Sequence, residues 1–189
     1  LAPDMVAKLQ KDPSLLRLGG EKRTMTFMFS DIRGFTPISE KYKGNPQGLT
    51  KLINRFLTRM TDVIIANGGT IDKFMGDCIM AFWNAPITNK NHATLAVKSA
   101  IEMQKELKIL NKELKKEKLP AINIGIGINT GEALVGNMGS EQRFDYSVIG
   151  DDVNLASRLE SSSKELGNTL VVGHKTKIQT KGFKYKSLG

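Results

Sequence analysis

Between residues 122 and 129, Ile122, Ile124, Ile126 and Ile128 alternate with Asn123, Gly125, Gly127 and Asn129. Successive side chains of an extended chain point to opposite faces, so this spacing predicts a strand with one purely aliphatic face. A helix would scatter the same isoleucines around its circumference. A strand needs neighbours, and the chain supplies them. Met25-Thr26-Phe27-Met28-Phe29 is a second strand, ending at Ser30-Asp31. Thr70–Phe74 and Ile79–Trp83 form a hairpin through Met75-Gly76-Asp77. Gly131 and Glu132 are read as a turn into Ala133-Leu134-Val135, with Tyr146–Ile149 and Leu170-Val171-Val172 as later strands.

Helical spacing of apolar residues predicts a helix over Gly48 to Ala66 and a longer one over Ala93 to Lys116. A third starts at Asp151 or Asp152 and runs to Leu166. Thr36-Pro37 reads as a helix start, with Thr36 as cap and Pro37 in the first turn. The lysines and glutamates between Lys105 and Lys118 read as a solvated helix face. Hairpins beside strand–helix alternation place the chain in the α/β or α+β class with a mixed sheet.

The 189 residues suit one domain and an appendage. Residues 1–23, with Pro3, Pro13, Gly19-Gly20 and an amphipathic stretch from Met5 to Leu9, read as a linker or lead-in, leaving 24–189 as the domain. Leu1 in place of Met reads as the start of an excised piece of a longer protein. Lone Cys78 excludes an internal disulfide and a cysteine-cluster zinc site. No apolar run approaches the roughly 18 residues of a membrane span. The 28 basic and 19 acidic residues give a net charge of +9. That excess favours an anionic partner without choosing among nucleic acid, acidic membrane and phosphorylated small molecule.

Asp31 stands where a strand gives way to Ile32-Arg33-Gly34-Phe35-Thr36. A carboxylate there, beside a glycine turn feeding a helix, suits a cation bound to phosphate, and suits a simple loop cap as well. Asp77 at the hairpin tip reads alone as a turn residue. If the first strand lies beside the hairpin, the two aspartates meet at one sheet edge, the arrangement for magnesium-dependent phosphoryl or nucleotidyl transfer. Asn154 and Arg158, four apart, project from one helix face. Arg158 offers a charged fork to a phosphoryl group and Asn154 a ligand for a sugar or water; from spacing alone, a surface Asn and an ion-paired Arg are the better fit. His92 and His174 have no carboxylate or serine constellation nearby.

Together Phe29-Ser30-Asp31-Ile32-Arg33-Gly34-Phe35-Thr36, Asp72-Lys73-Phe74-Met75-Gly76-Asp77 and Val148-Ile149-Gly150-Asp151-Asp152-Val153-Asn154-Leu155-Ala156-Ser157-Arg158 resemble the class III nucleotide cyclase catalytic domain, from about Thr26 to Leu188. The resemblance implies an α+β sandwich with a ferredoxin-like βαββαβ core. It implies an enzyme, a phosphorus–oxygen lyase of signal transduction, working as a homodimer with active sites at the subunit interface. Asp31, Asp77 and the Ile32 carbonyl would bind two Mg2+ or Mn2+ ions per site. Gly34, Phe35 and Thr36 would line the phosphates. From the partner copy, Arg158 would face the α-phosphate and Asn154 the ribose. Arg143 is a further phosphate candidate, with a surface role as its equal.

Base choice would rest on Lys73 and Ser147. An ammonium only donates, which suits adenine N1 and opposes the N–H of guanine N1, while a hydroxyl can accept from the adenine amino group. Guanylyl cyclases of the family usually carry Glu and Cys there, so the resemblance implies ATP and cyclic AMP. A guanylyl cyclase and a silent nucleotide-binding or dimerising module are the alternatives. Nucleic-acid binding rests on charge alone. The family's final hairpin, with a triphosphate-contacting lysine, lies beyond Ser187-Leu188-Gly189. The lead-in resembles that of bacterial cyclases behind membrane helices, which implies a cytoplasmic domain of a membrane-bound parent.

Overall fold

The computed structural model describes residues 6–7, 10–13 and 19–188; Pro3, Met5 and Leu9 of the lead-in lie outside them. The isoleucine strand is the spine of the sheet. It is β4 (Asn123–Gly139), and it pairs antiparallel with β1 (Gly19–Arg33) from Gly19 opposite Asn137 to Arg33 opposite Asn123. The hairpin strands are β2 (Thr70–Met75) and β3 (Cys78–Trp83), followed later by β5 (Phe144–Ile149) and β6 (Leu170–Val172). The strand order is β2-β3-β1-β4-β5, with β6 parallel to β4, so the sheet is mixed. The helices are α1 (Phe35–Glu40), α2 (Pro46–Ala66), α3 (His92–Lys116), α4 (Asp151–Glu165) and α5 (His174–Gln179). With α2 and α3, the first four strands form the expected βαββαβ core.

Burial explains why the alternation is so strict. Ile124, Ile126 and Ile128 pack with Trp83, Phe56 and Met103 in the larger core, under α2 and α3. Each fully buried aliphatic side chain of this kind contributes about 1.5–3 kcal/mol. The opposite face of β4 is buried too, under α4. A Cβ at Gly127 would lie 2.2 Å from the Glu160 nitrogen and 2.3 Å from the Ala156 carbonyl oxygen. Glycine is there because two backbones touch. Phe27, Phe29, Met80, Phe82, Val148 and Val153 complete this second, smaller core.

Several expected boundaries move. β1 begins at Gly19, so residues read as lead-in belong to the sheet. Gly131 and Glu132 make no turn: β4 runs straight through, with Gly131 opposite Met25. A Cβ at Gly131 would meet Asp152 Oδ2 at 1.9 Å, so this glycine serves close packing. α1 is capped by Gly34, not Thr36, because the chain leaves β1 through a left-handed residue at φ 64°, which glycine adopts without strain. α2 starts two residues early, where the Asn45 side chain accepts from the Gly48 N–H at 2.9 Å and Pro46 fills the first turn. The α3 face read as merely solvated carries a network: Arg55 bonds Glu113 and Glu117, and Arg59 bonds Glu106 and Glu113.

Candidate active site

The end of β1 and the β2–β3 turn bring Asp31 and Asp77 together, as their strand-end positions predict. The Ile32 N–H lies between them, donating to Asp31 Oδ1 at 2.9 Å and Asp77 Oδ2 at 3.2 Å. Burial, the hydrogen bond to Asp77 and the charges of Asp77 and Glu160 push the Asp31 carboxyl up to about 7. Two carboxyl groups crowded until one is reluctant to ionise form a site built for a positive partner. Hard oxygen donors of this kind suit Mg2+ or Mn2+, so Asp31, Asp77 and the adjoining Ile32 peptide fit the divalent ions the sequence implies. Cys78, next in the chain, is a protonated bystander: burial, with Asp31, Glu160 and Asp77 nearby, pushes its thiol up to about 12.

A cavity of about 370 Å³ opens on the same face of the sheet, lined by Phe29, Met75, Lys73, Ser147, Val153 and Asn154 among others. Phe29 and Met75 each precede an aspartate of the pair by two residues, roughly 7 Å along a strand. The predicted base-reading residues therefore meet: Lys73 from β2 and Ser147 from β5 share one cavity wall. Asn154, in the first turn of α4, lines it as well, and its N–H bonds the Gly150 carbonyl at 3.1 Å. Arg158 follows one turn later, exposed and outside that lining.

The remaining candidates sit apart. Gly34 is exposed, and a Cβ there would meet nothing within 4 Å. Phe35 packs against the larger core, which leaves only its backbone for a ligand, while Thr36 is exposed in the first turn of α1. Arg143 closes the β4–β5 turn through its backbone, its N–H bonding the Ser140 carbonyl at 3.2 Å, and does not line the cavity. His92 is a core residue whose Nδ1 lies 2.7 Å from Thr26 Oγ1, and burial holds it below the usual imidazole range.

Two acidic residues belong here that their sequence positions do not announce. Glu160 faces the carboxylate pair from α4; burial pushes it up, with the Asp77 charge adding to that and Arg33 opposing. Asp72 has a fully buried side chain, and its Oδ2 accepts from Ser147 Oγ at 2.7 Å. Burial pushes its carboxyl up, against the Ser147 hydroxyl, the Lys73 charge and the Val148 N–H. Among the described residues, no cluster of three His, Cys, Asp or Glu side chains could hold a metal on its own.

The sequence model of the family described as adenylate and guanylate cyclase catalytic domain matches residues 20–189. Adenylate cyclase 1 of Rhizobium meliloti is 34% identical over 89% of this chain, and the adenylate cyclase of Anabaena cylindrica 39% identical over 79%. The chain spans only 25% and 29% of the lengths of those two relatives. Among solved structures, the adenylyl cyclase CyaB from P. aeruginosa is 41% identical, with a TM-score of 0.79 over 86% of this chain and 82% of that one. The guanylyl cyclase Cya2 is 39% identical, with a TM-score of 0.80 over 91% and 85%.

Proposed function

This chain belongs to the adenylate and guanylate cyclase catalytic domain family, and from that premise we propose that it converts ATP to 3′,5′-cyclic AMP and pyrophosphate. The observation that carries the choice of ATP is the shared wall of Lys73 and Ser147. Lys73 donates to adenine N1, and Ser147 accepts from the exocyclic amino group. The likeness to Cya2 favours the guanylyl alternative, but Lys73 would set an ammonium against the N1–H of guanine. A silent binding module is disfavoured by the joint presence of Asp31, Asp77, Lys73, Asn154 and Arg158.

In the reaction the ribose 3′-oxygen bonds to the α-phosphorus as the bond to the β-bridging oxygen breaks, and the hydroxyl proton leaves to water. Asp31, Asp77 and the Ile32 carbonyl would hold two Mg2+ or Mn2+ ions, which would supply Lewis-acid chemistry for the 3′-hydroxyl and charge neutralisation for the triphosphate. Asn154 orients the ribose, and Arg158 places its fork against the charge that develops on the α-phosphate. Backbone N–H groups of the Gly34–Thr36 turn would face the remaining phosphate charge.

The working unit is a homodimer that shares its sites. Supporting this, Met75 and Ile149, which line the cavity from the two edge strands β2 and β5, stay exposed, Ile149 at 62%. Arg158 is exposed and does not line its own chain's cavity. No helix of the described residues is long and apolar enough to cross a membrane. Any attachment of the domain to the cytoplasmic side of a membrane comes from other parts of a parent chain, in line with the relatives' greater length.

Product analysis with ATP and with GTP tests the reading directly: cyclic AMP is expected, and cyclic GMP alone, or neither, overturns it. Asp31→Ala and Arg158→Ala should each lower turnover by orders of magnitude. Mixing the two proteins should restore part of it, because one composite site regains both halves; proven heterodimers without recovery refute shared sites.

A further inference from the structure

Asp72 and Ser147 are 75 residues apart, and their strands, β2 and β5, lie at opposite ends of the strand order. The curl of the sheet closes on this bond, and the base cavity lies at the closure. The pairing of β2 with β3 slips between Ile71 and Lys73, leaving Asp72 as the extra residue of a bulge. In a regular strand Asp72 and Lys73 would face opposite ways; a bulge re-aims one of them. Here both converge on Ser147: Lys73 lines its cavity, its Nζ 3.6 Å from Asp72 Oδ1, and Asp72 takes the serine's hydrogen bond.

A hydroxyl has one proton and two lone pairs, and left free it turns to suit either partner. Ser147 is not free. Its residue is 7% exposed, and its proton points at a carboxylate that has no surface of its own. We propose that Asp72 is the specificity-setting positioning residue of the base site: by holding the Ser147 proton it makes that hydroxyl an acceptor only. The cavity then shows one fixed donor, Lys73, and one fixed acceptor, Ser147. A purine with an amino group at C6 and a bare N1 satisfies both; a 6-oxo purine with N1–H clashes with both. The inference rests on the adenylyl reading above and adds to it the residue that removes the ambiguity of serine.

The test compares ATP with inosine triphosphate on this chain, as the ratio of kcat/KM values, and as the ratio of Kd values where turnover is low. Asp72→Asn keeps the shape but lets an amide N–H point at Ser147, freeing the hydroxyl to donate to a 6-oxo group. The ATP preference should fall about tenfold, the scale of one exchanged hydrogen bond, with the melting temperature of the variant recorded beside it. Ser147→Ala should lower the preference by itself, and adding Asp72→Asn to it should lower it no further. A preference unchanged within about twofold, or an equal drop with and without the serine, overturns the proposal, since a merely structural tie would not act through Ser147.

If Asp72→Asn does not fold, 6-methoxypurine riboside triphosphate decides. A locked acceptor rejects its oxygen, so the Ser147→Ala protein should use or bind it better than the wild type; the reverse order shows a hydroxyl free to donate. A wild type that prefers GTP to ATP overturns the adenylyl reading and this inference together. A wild type that prefers ATP, with the ratio unmoved by Asp72→Asn, overturns this inference alone.

Discussion

The two faces of β4 are both buried, yet they do different work. On one, branched side chains interdigitate with α2 and α3. On the other, glycines let α4 lie against the strand backbone. That face carries Asp31, Asp77, the base cavity and the helix of Asn154 and Arg158. Side-chain packing tolerates small adjustments, because a methyl group can shift. Backbone contact does not, so α4, the helix of Asn154 and Arg158, is set where it cannot drift. Stability is concentrated on one face and positional accuracy on the other.

The sharpest way to break the contrast is Gly127→Val. With the Cβ position already 2.2 Å from a backbone nitrogen, α4 must move, and stability should fall by about 3 kcal/mol or more. Cyclase activity, measured on whatever fraction folds, should fall beyond that fraction, because Asn154 and Arg158 move with α4. Ile126→Ala on the other face should cost about 2–5 kcal/mol in denaturant unfolding while leaving kcat/KM of the folded protein within a few-fold. If the two variants shift kcat/KM alike, the division of labour is wrong.

A third effect is confined to the glycine face. Asp31 is pushed up to about 7 from 3.8, so between those values the metal-free folded state holds a proton that the unfolded chain has released. Stability must therefore fall as pH rises through that window, and a cation that displaces the proton reverses the fall. Melting temperatures in chelator, taken as the difference from the Asp31→Asn protein, should decline from low pH to about 7 and recover with Mg2+; a flat difference refutes the crowding of the carboxylates. Smallest of all, Arg55→Met breaks the exposed network joining α2 to α3. It should leave kcat unchanged and lower the melting temperature slightly at low salt, with the difference fading near about 1 M salt.

Much of this was legible in the residues. The isoleucine alternation gave β4, strand ends gave the meeting of Asp31 with Asp77, and helical spacing gave α2 to α4. What stayed hidden depends on contacts distant in sequence. Gly131 looks like a turn residue because its reason is Asp152, on a helix that has not yet begun. Asp72 looks like the wrong side of a strand, since a bulge leaves the alternation of residue types untouched. Glu160 enters the site only because α4 sits so close to β4. α5 is six residues of His-Lys-Thr-Lys-Ile-Gln, too short and polar to show a helical period.

The strand order also dictates how the site comes into being. β2–β3 and β4–β5 are hairpins that can close locally, and each carries half of the base cavity. β1, earliest in the chain, is the strand that lies between them, paired to β3 on one side and β4 on the other. Until it inserts, Asp31 has no Asp77 beside it and Lys73 has no Ser147 across from it. Such long-range closure is slow compared with hairpin formation. A half-formed domain therefore holds the parts of the site without holding the site.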